Sequence, residues 1–144
     1  MNASIFKTMG KNKKVLTIQK HQHRRPETIG ILIDEAWMSS NVRVLEYRDK
    51  DTLDMIILVP SLTLKATGAT REEAMAKLLL AAEEYWFGLL SMPPGETTRQ
   101  LARLGWGITG IRKQEFAKAY TDISSTFKNL NALDGIVTER MITI

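Results

Sequence analysis

The sequence predicts an α+β domain in which a small antiparallel sheet packs under one long helix. Three observations carry that prediction. Val42–Tyr47 and Leu53–Val59 are β-branched and aliphatic runs flanking a charged turn; Leu62, Leu64 and Ala66 alternate with Thr63, Lys65 and Thr67; and beyond Thr70 the apolar residues recur at helical spacing. Hydrophobic residues make up 44% of the 144 and charged residues 25%, the balance of a folded chain with one core of ordinary size.

Taken in order, residues 1–40 read as a basic N-terminal extension with one or two short strands, at Val15–Ile18 and Ile29–Ile33. Residues 41–95 hold the strongest pattern. Arg48-Asp49-Lys50-Asp51-Thr52 has hairpin length and turn composition, so its flanking runs are expected to pair antiparallel. Pro60 ends the second run because it has no N–H to give a ladder. The alternating third run should have one buried face and one that is wet or turned to a partner.

Thr70 followed by Glu73 is a capping-box arrangement, in which hydroxyl and carboxylate satisfy backbone donors at a helix start. Met75, Leu78, Leu79, Ala82, Tyr85, Trp86 and Leu89 then mark one face of a helix that must stop by Ser91, ahead of Pro93-Pro94-Gly95. Residues 96–144 form a C-terminal extension. It should hold a short helix from Glu96 to Leu104 closed by Gly105, then a turn or short extended piece around Trp106 and Ile108. An amphipathic helix stepping through Phe116, Tyr120, Ile123, Phe127 and Leu130 should follow, with a terminal strand from Ile136 to Ile144.

The second strand poses a packing problem. Leu53, Met55, Ile57 and Val59 point one way, yet Ile56 and Leu58 make the other face apolar too. One helix can cover only one side, so the flanking stretches, a second copy or a partner must cover the other. The expectation is an interaction surface or a homodimer or higher homo-oligomer.

The order of features from Val42 to Gly95 resembles the HicB family of antitoxins. The hairpin, the Pro60-Ser61-Leu62 strand end, the third strand closing in Gly68-Ala69-Thr70, the Thr70-Arg71-Glu72-Glu73-Ala74 helix start, Glu83-Glu84-Tyr85-Trp86 and the Pro93-Pro94-Gly95 stop carry the resemblance. It implies a β-β-β-α core, a degenerate ribonuclease H arrangement without catalytic carboxylates. It further implies that the protein masks a small toxin ribonuclease and is not an enzyme. Thr63, Lys65 and Thr67, with Ile56 and Leu58 on the second strand's far face, are the expected partner-binding residues.

Other constellations point to less. With no cysteine, disulfides, thiolate metal sites and thiol nucleophiles are excluded. His21 and His23 could share one side of a strand, but two imidazoles make no metal site, and no metal or other cofactor is expected. Asp49 and Asp51 are explained by a turn, leaving Asp54 alone on a strand, while Asp34-Glu35 completes no two-metal set. Gly105-Trp106-Gly107-Ile108-Thr109-Gly110 lacks the lysine and hydroxyl residue of a phosphate loop. Tyr85, Trp86 and Phe87 are consecutive, so at least one must leave the helix's buried face.

The net charge of +4 is local: residues 1–25 carry seven bases and no acid. Read as a solvated and partly disordered arm, the cluster needs no ligand; read as a nucleic-acid contact, it would use Lys11, Lys13, Lys14, Lys20, Arg24 and Arg25. No apolar stretch approaches the roughly 18 residues of a spanning helix, and no signal peptide is read, so a cytoplasmic protein with no membrane contact is expected.

Overall fold

The longest strand organises the architecture. In the computed structural model, which describes residues 4–9, 14–19, 26–32, 37–93, 95–109, 115–118 and 129–144, nine strands form one sheet. These are β1 (Ser4–Met9), β2 (Lys14–Gln19), β3 (Glu27–Leu32), β4 (Trp37–Arg48), β5 (Met55–Val59), β6 (Leu64–Gly68), β7 (Gly107–Ile108), β8 (Glu115–Lys118) and β9 (Ile136–Thr143). Among the described residues two α-helices, α1 (Arg71–Leu90) and α2 (Glu96–Arg103), complete the α+β fold.

Strand β4 spans 12 residues. One of its edges pairs antiparallel with β9, from Asn41 opposite Thr143 to Glu46 opposite Thr138. Its other edge is shared: β3 occupies Trp37 to Asn41, and β5 occupies Leu45 to Arg48. The sheet therefore runs β1-β2-β9-β4-β3-β8-β7, with β5 and β6 as a branch off β4. All pairings are antiparallel except that of β2 with β9.

Between β3 and β5, Glu27 does what a strand would do. Its Oε2 accepts from the Arg43 amide at 2.9 Å and from the Ser61 hydroxyl at 2.7 Å. The Arg43 guanidinium lies 3.6 Å from Glu27 Oε1 and 3.4 Å from Glu139 Oε2. Glu27, Arg43, Ser61 and Glu139 are all buried, and the Trp106 indole N–H donates to the Ser61 carbonyl at 3.1 Å. A polar chain thus ties β3, β4, β9, the turn after β5 and the segment after α2. Paired and hydrogen-bonded in this way, the charges can stay inside.

Side-chain alternation divides the core in two. On one face Val42 and Val44 meet Ile57, Val59, Leu62 and Ala66 under the Ala74, Leu78, Ala82, Trp86 and Leu89 stripe of α1. The stripe matches the predicted helix face except at Leu79, which is exposed. At the helix start Thr70 Oγ1 accepts from the Glu73 amide at 3.1 Å, and Glu73 Oε1 accepts from Ala69 N–H at 2.8 Å. Gly68 is required there, because a Cβ would lie 2.5 Å from the Ala74 nitrogen. On the opposite face Leu45, Tyr47, Ile56, Ala132 and Val137 form a smaller cluster.

The structure corrects four expectations. The sheet is wider than the small one predicted, because β1, β2, β3, β7, β8 and β9 join the three strands β4, β5 and β6; of these, β2, β3 and β9 fall where the sequence expects strands and β1, β7 and β8 do not. The basic stretch is built into the sheet over β1 and β2 and is not simply a solvated arm, since Val15–Ile18 lies beside Ile136–Glu139. Leu53 does not begin the second strand: it has φ +63° and is exposed in the loop, and β5 starts at Met55. Likewise Leu62 lies in the short helical turn Pro60–Leu62 and Thr63 has φ +53°, so β6 begins at Leu64.

The fourth concerns the predicted third helix. Phe116 belongs to strand β8, where it pairs opposite Ile29 and is buried in the main core. Pairing with β3 outweighs its helical spacing. Tyr120, Ile123 and Phe127 lie outside the described residues. The terminal strand is present as β9.

Candidate partner-binding edge

The β5–β6 hairpin places the predicted residues in rows. Leu45, Leu58 and Lys65 lie opposite one another across β4, β5 and β6; Tyr47, Ile56 and Thr67 form the next row. Both rows face away from α1. Four of the five predicted partner-binding residues are therefore neighbours on one surface. Thr63 stands just before β6, exposed, with its hydroxyl donating to the Leu62 carbonyl at 2.6 Å.

Their accessibility differs along each row. Ile56 is buried at 7% exposure, covered by the cluster it shares with Ala132 and Val137. Of the three covers the sequence leaves open for this face, a flanking stretch of the chain supplies the one over Ile56. Leu58 is half-buried beside the same cluster, Thr67 is half-buried and Lys65 is exposed. Among the described residues β6 pairs with β5 alone, so its outer edge forms a border of the sheet. The accessible site is thus the β6 edge with Thr63, Lys65, Thr67 and the rim of Leu58.

No family model, curated protein or solved structure matches this chain.

The remaining predicted positions are scattered. Lys14 opens β2, while Lys11, Lys13, Lys20, Arg24, Arg25, His21, His23, Asp34 and Glu35 lie outside the described residues. Asp49 and Asp51 occupy the β4–β5 turn, as their composition predicts. Asp54 precedes β5 and does not lie on a strand, with its amide donating to Thr52 Oγ1 at 3.2 Å. No group of three histidine, aspartate or glutamate side chains is placed to hold a metal among the described residues. No described helix is long and apolar enough to cross a membrane.

Two features escaped sequence reading. One is the buried Glu27–Arg43–Glu139 chain, for which the sequence offers only isolated charges. The other is Leu80 on the outward face of α1, 63% exposed beside Phe87, the aromatic that leaves the buried face as the sequence requires of one of the three. The signal for Phe87 was the consecutive Tyr85-Trp86-Phe87. Trp86 is buried and Tyr85 half-buried, with burial pushing the Tyr85 hydroxyl pKa up, while Phe87 is left outside.

A second charge group lies beneath the start of α1. Buried Glu46 accepts from Arg71 Nε at 2.8 Å and Nη2 at 3.2 Å, and lies 3.2 Å from Arg140 Nε. The Glu46 hydrogen bond raises the Arg71 pKa. The arrangement clamps the helix to β4 and β9 and turns these charges away from the β6 edge.

Proposed function

We propose that this chain is a non-catalytic protein-binding domain of the HicB antitoxin-like type, which masks a small toxin ribonuclease along the β6 edge. The observation that carries the reading is the β6 border itself. Five residues, Leu64–Gly68, pair on one side only among the described residues, beside the half-buried Leu58. A strand of this kind accepts an extended segment through main-chain hydrogen bonds, while flanking side chains select the partner. Lys65 fits that role: a lysine on an edge opposes unselective strand pairing and favours an acidic or hydrogen-bonding partner. The order of elements from Val42 to Gly95 adds the resemblance to HicB antitoxins.

The test is to co-purify the chain with the product of a small adjacent reading frame and to measure affinity by calorimetry. A stable complex is expected, weakened at least tenfold by Lys65→Glu, with the variant's circular dichroism unchanged because Lys65 is exposed. Absence of a complex, or a complex indifferent to Lys65→Glu, would overturn the reading.

A further inference from the structure

The turn that leads into β9 is built on a pair of residues that occurs once in the chain. Asp134-Gly135 is the only place in the 144 residues where an aspartate or asparagine precedes glycine. The local backbone explains the choice. Asp134 has φ +54° and Gly135 φ +68°, and the Ile136 amide donates to the Leu133 carbonyl, so residues 133–136 close as a type I′ turn. Two consecutive positive φ values favour aspartate or asparagine followed by glycine.

The same pair is chemically labile. Glycine has no side chain to shield its nitrogen, so the Gly135 nitrogen can attack the Asp134 carboxyl carbon. An N–Cγ bond forms, the carboxyl hydroxyl and the amide proton leave as water, and a five-membered succinimide results. Water then opens the ring. Breaking the N–Cγ bond restores aspartate, whereas breaking the bond from nitrogen to the Asp134 backbone carbonyl carbon leaves the chain running through Cγ as isoaspartate.

In the native turn this reaction is held off. The planar ring requires the Gly135 nitrogen to eclipse Asp134 Cβ, whereas at ψ +16° it lies near the nitrogen of Asp134 itself. Reaching the ring means rotating ψ and breaking two hydrogen bonds, from Gly135 N–H to the Ala132 carbonyl at 3.0 Å and from Ile136 N–H to that of Leu133. Ala132 is clamped in turn. It is buried in the smaller cluster and bridges to Asp49, while the neighbouring Asn131 amide donates to Asp49 and Asp51. Asp134 is exposed, but Gly135 is buried.

We infer that Asp134-Gly135 is a fold-gated site of isoaspartate formation, closed in the native turn and reactive when β9 leaves the sheet. The product marks a chain that has been open. Isoaspartate adds one backbone atom to a tight turn, so β9 can no longer enter in register with β2 and β4, and a transient opening becomes a permanent one. The inference does not depend on what binds the β6 edge.

Mass spectrometry of digests, after the full chain is incubated at neutral pH either folded or in concentrated urea, measures isoaspartate at position 134. The urea sample should isomerise at least about tenfold faster, because the folded chain reacts only from its opened fraction. Asn131→Ala should raise the folded rate by about threefold or more and leave the urea rate unchanged, since it loosens the clamp on Ala132 without altering the turn itself. Chain enriched in isoaspartate and refolded from urea should melt at a lower temperature than the unmodified chain. Equal rates in the folded and urea samples overturn the gate, and absence of isoaspartate in urea overturns the site. A folded Asn131→Ala chain that reacts no faster, or an isomerised chain that regains the wild-type Tm, also overturns the inference. Should Asn131→Ala not fold, the wild-type comparison decides alone.

Discussion

Asp49 shows how much one carboxylate can organise. Its Oδ2 accepts from the amides of Asp51 at 3.0 Å and Thr52 at 2.9 Å and from the Thr52 hydroxyl at 3.2 Å, while Oδ1 accepts from Asn131 Nδ2 at 3.1 Å. The Thr52 amide bond, followed by the Asn131 bond, holds its pKa below the ordinary aspartate range. A lowered folded-state pKa contributes stability above the unfolded value, about 4, and that contribution is lost as pH falls through the folded value. Wild type should therefore melt at a higher temperature than Asp49→Ala near neutrality. The gap should close only in acid below pH about 4, as read by thermal melts across pH. At this scale the sequence is informative where chemistry is local: Asp49 and Asp51 read as turn residues and are. It is silent where a side chain's role comes from distant neighbours, as with Asn131, whose amide reaches back to Asp49 and Asp51 across the fold. Leu53 was misread because its alternation continues the strand pattern, while the turn that Asp49 closes forces it to positive φ.

Among elements, the junction of β3, β4 and β5 is the most exacting. The Glu27 side chain, at the start of β3, reaches the stretch of β4 that pairs with neither β3 nor β5, accepting from Arg43 N–H and the Ser61 hydroxyl while fully buried. Removing it leaves a buried amide and hydroxyl without their acceptor and breaks an interior ion pair. Glu27→Ala is expected to cost about 3–5 kcal/mol in urea unfolding, and Glu27→Gln, which keeps one acceptor oxygen, clearly less. The hairpin, the Thr70 cap, the α1 stripe and the stop at Ser91 were all legible, because each depends on residues a few positions apart. Phe116 was not. Its spacing suits a helix as well as a strand, and only pairing with Ile29, far away in sequence, decides between them.

For the whole molecule, the unexpected result is how the ends of the chain meet. Strand β2 lies parallel to β9, joining residues near the start to residues near the finish. No local pattern announces such a pairing, so the α+β class was legible while the width of the sheet was not. It also changes what the basic stretch is for: the strand that begins at Lys14 covers an edge of β9. Deleting residues 1–25 should therefore lower the Tm and raise light scattering on heating, as a bared edge finds other strands. An arm that merely trailed in solvent would leave both unchanged. The forked border of β4 has a consequence for how this sequence can vary. One continuous strand sets the facing of two separate strand pairings, so an extra residue anywhere from Val42 to Val44 would turn one half of the domain inside out relative to the other. That short span can change its letters but not its length.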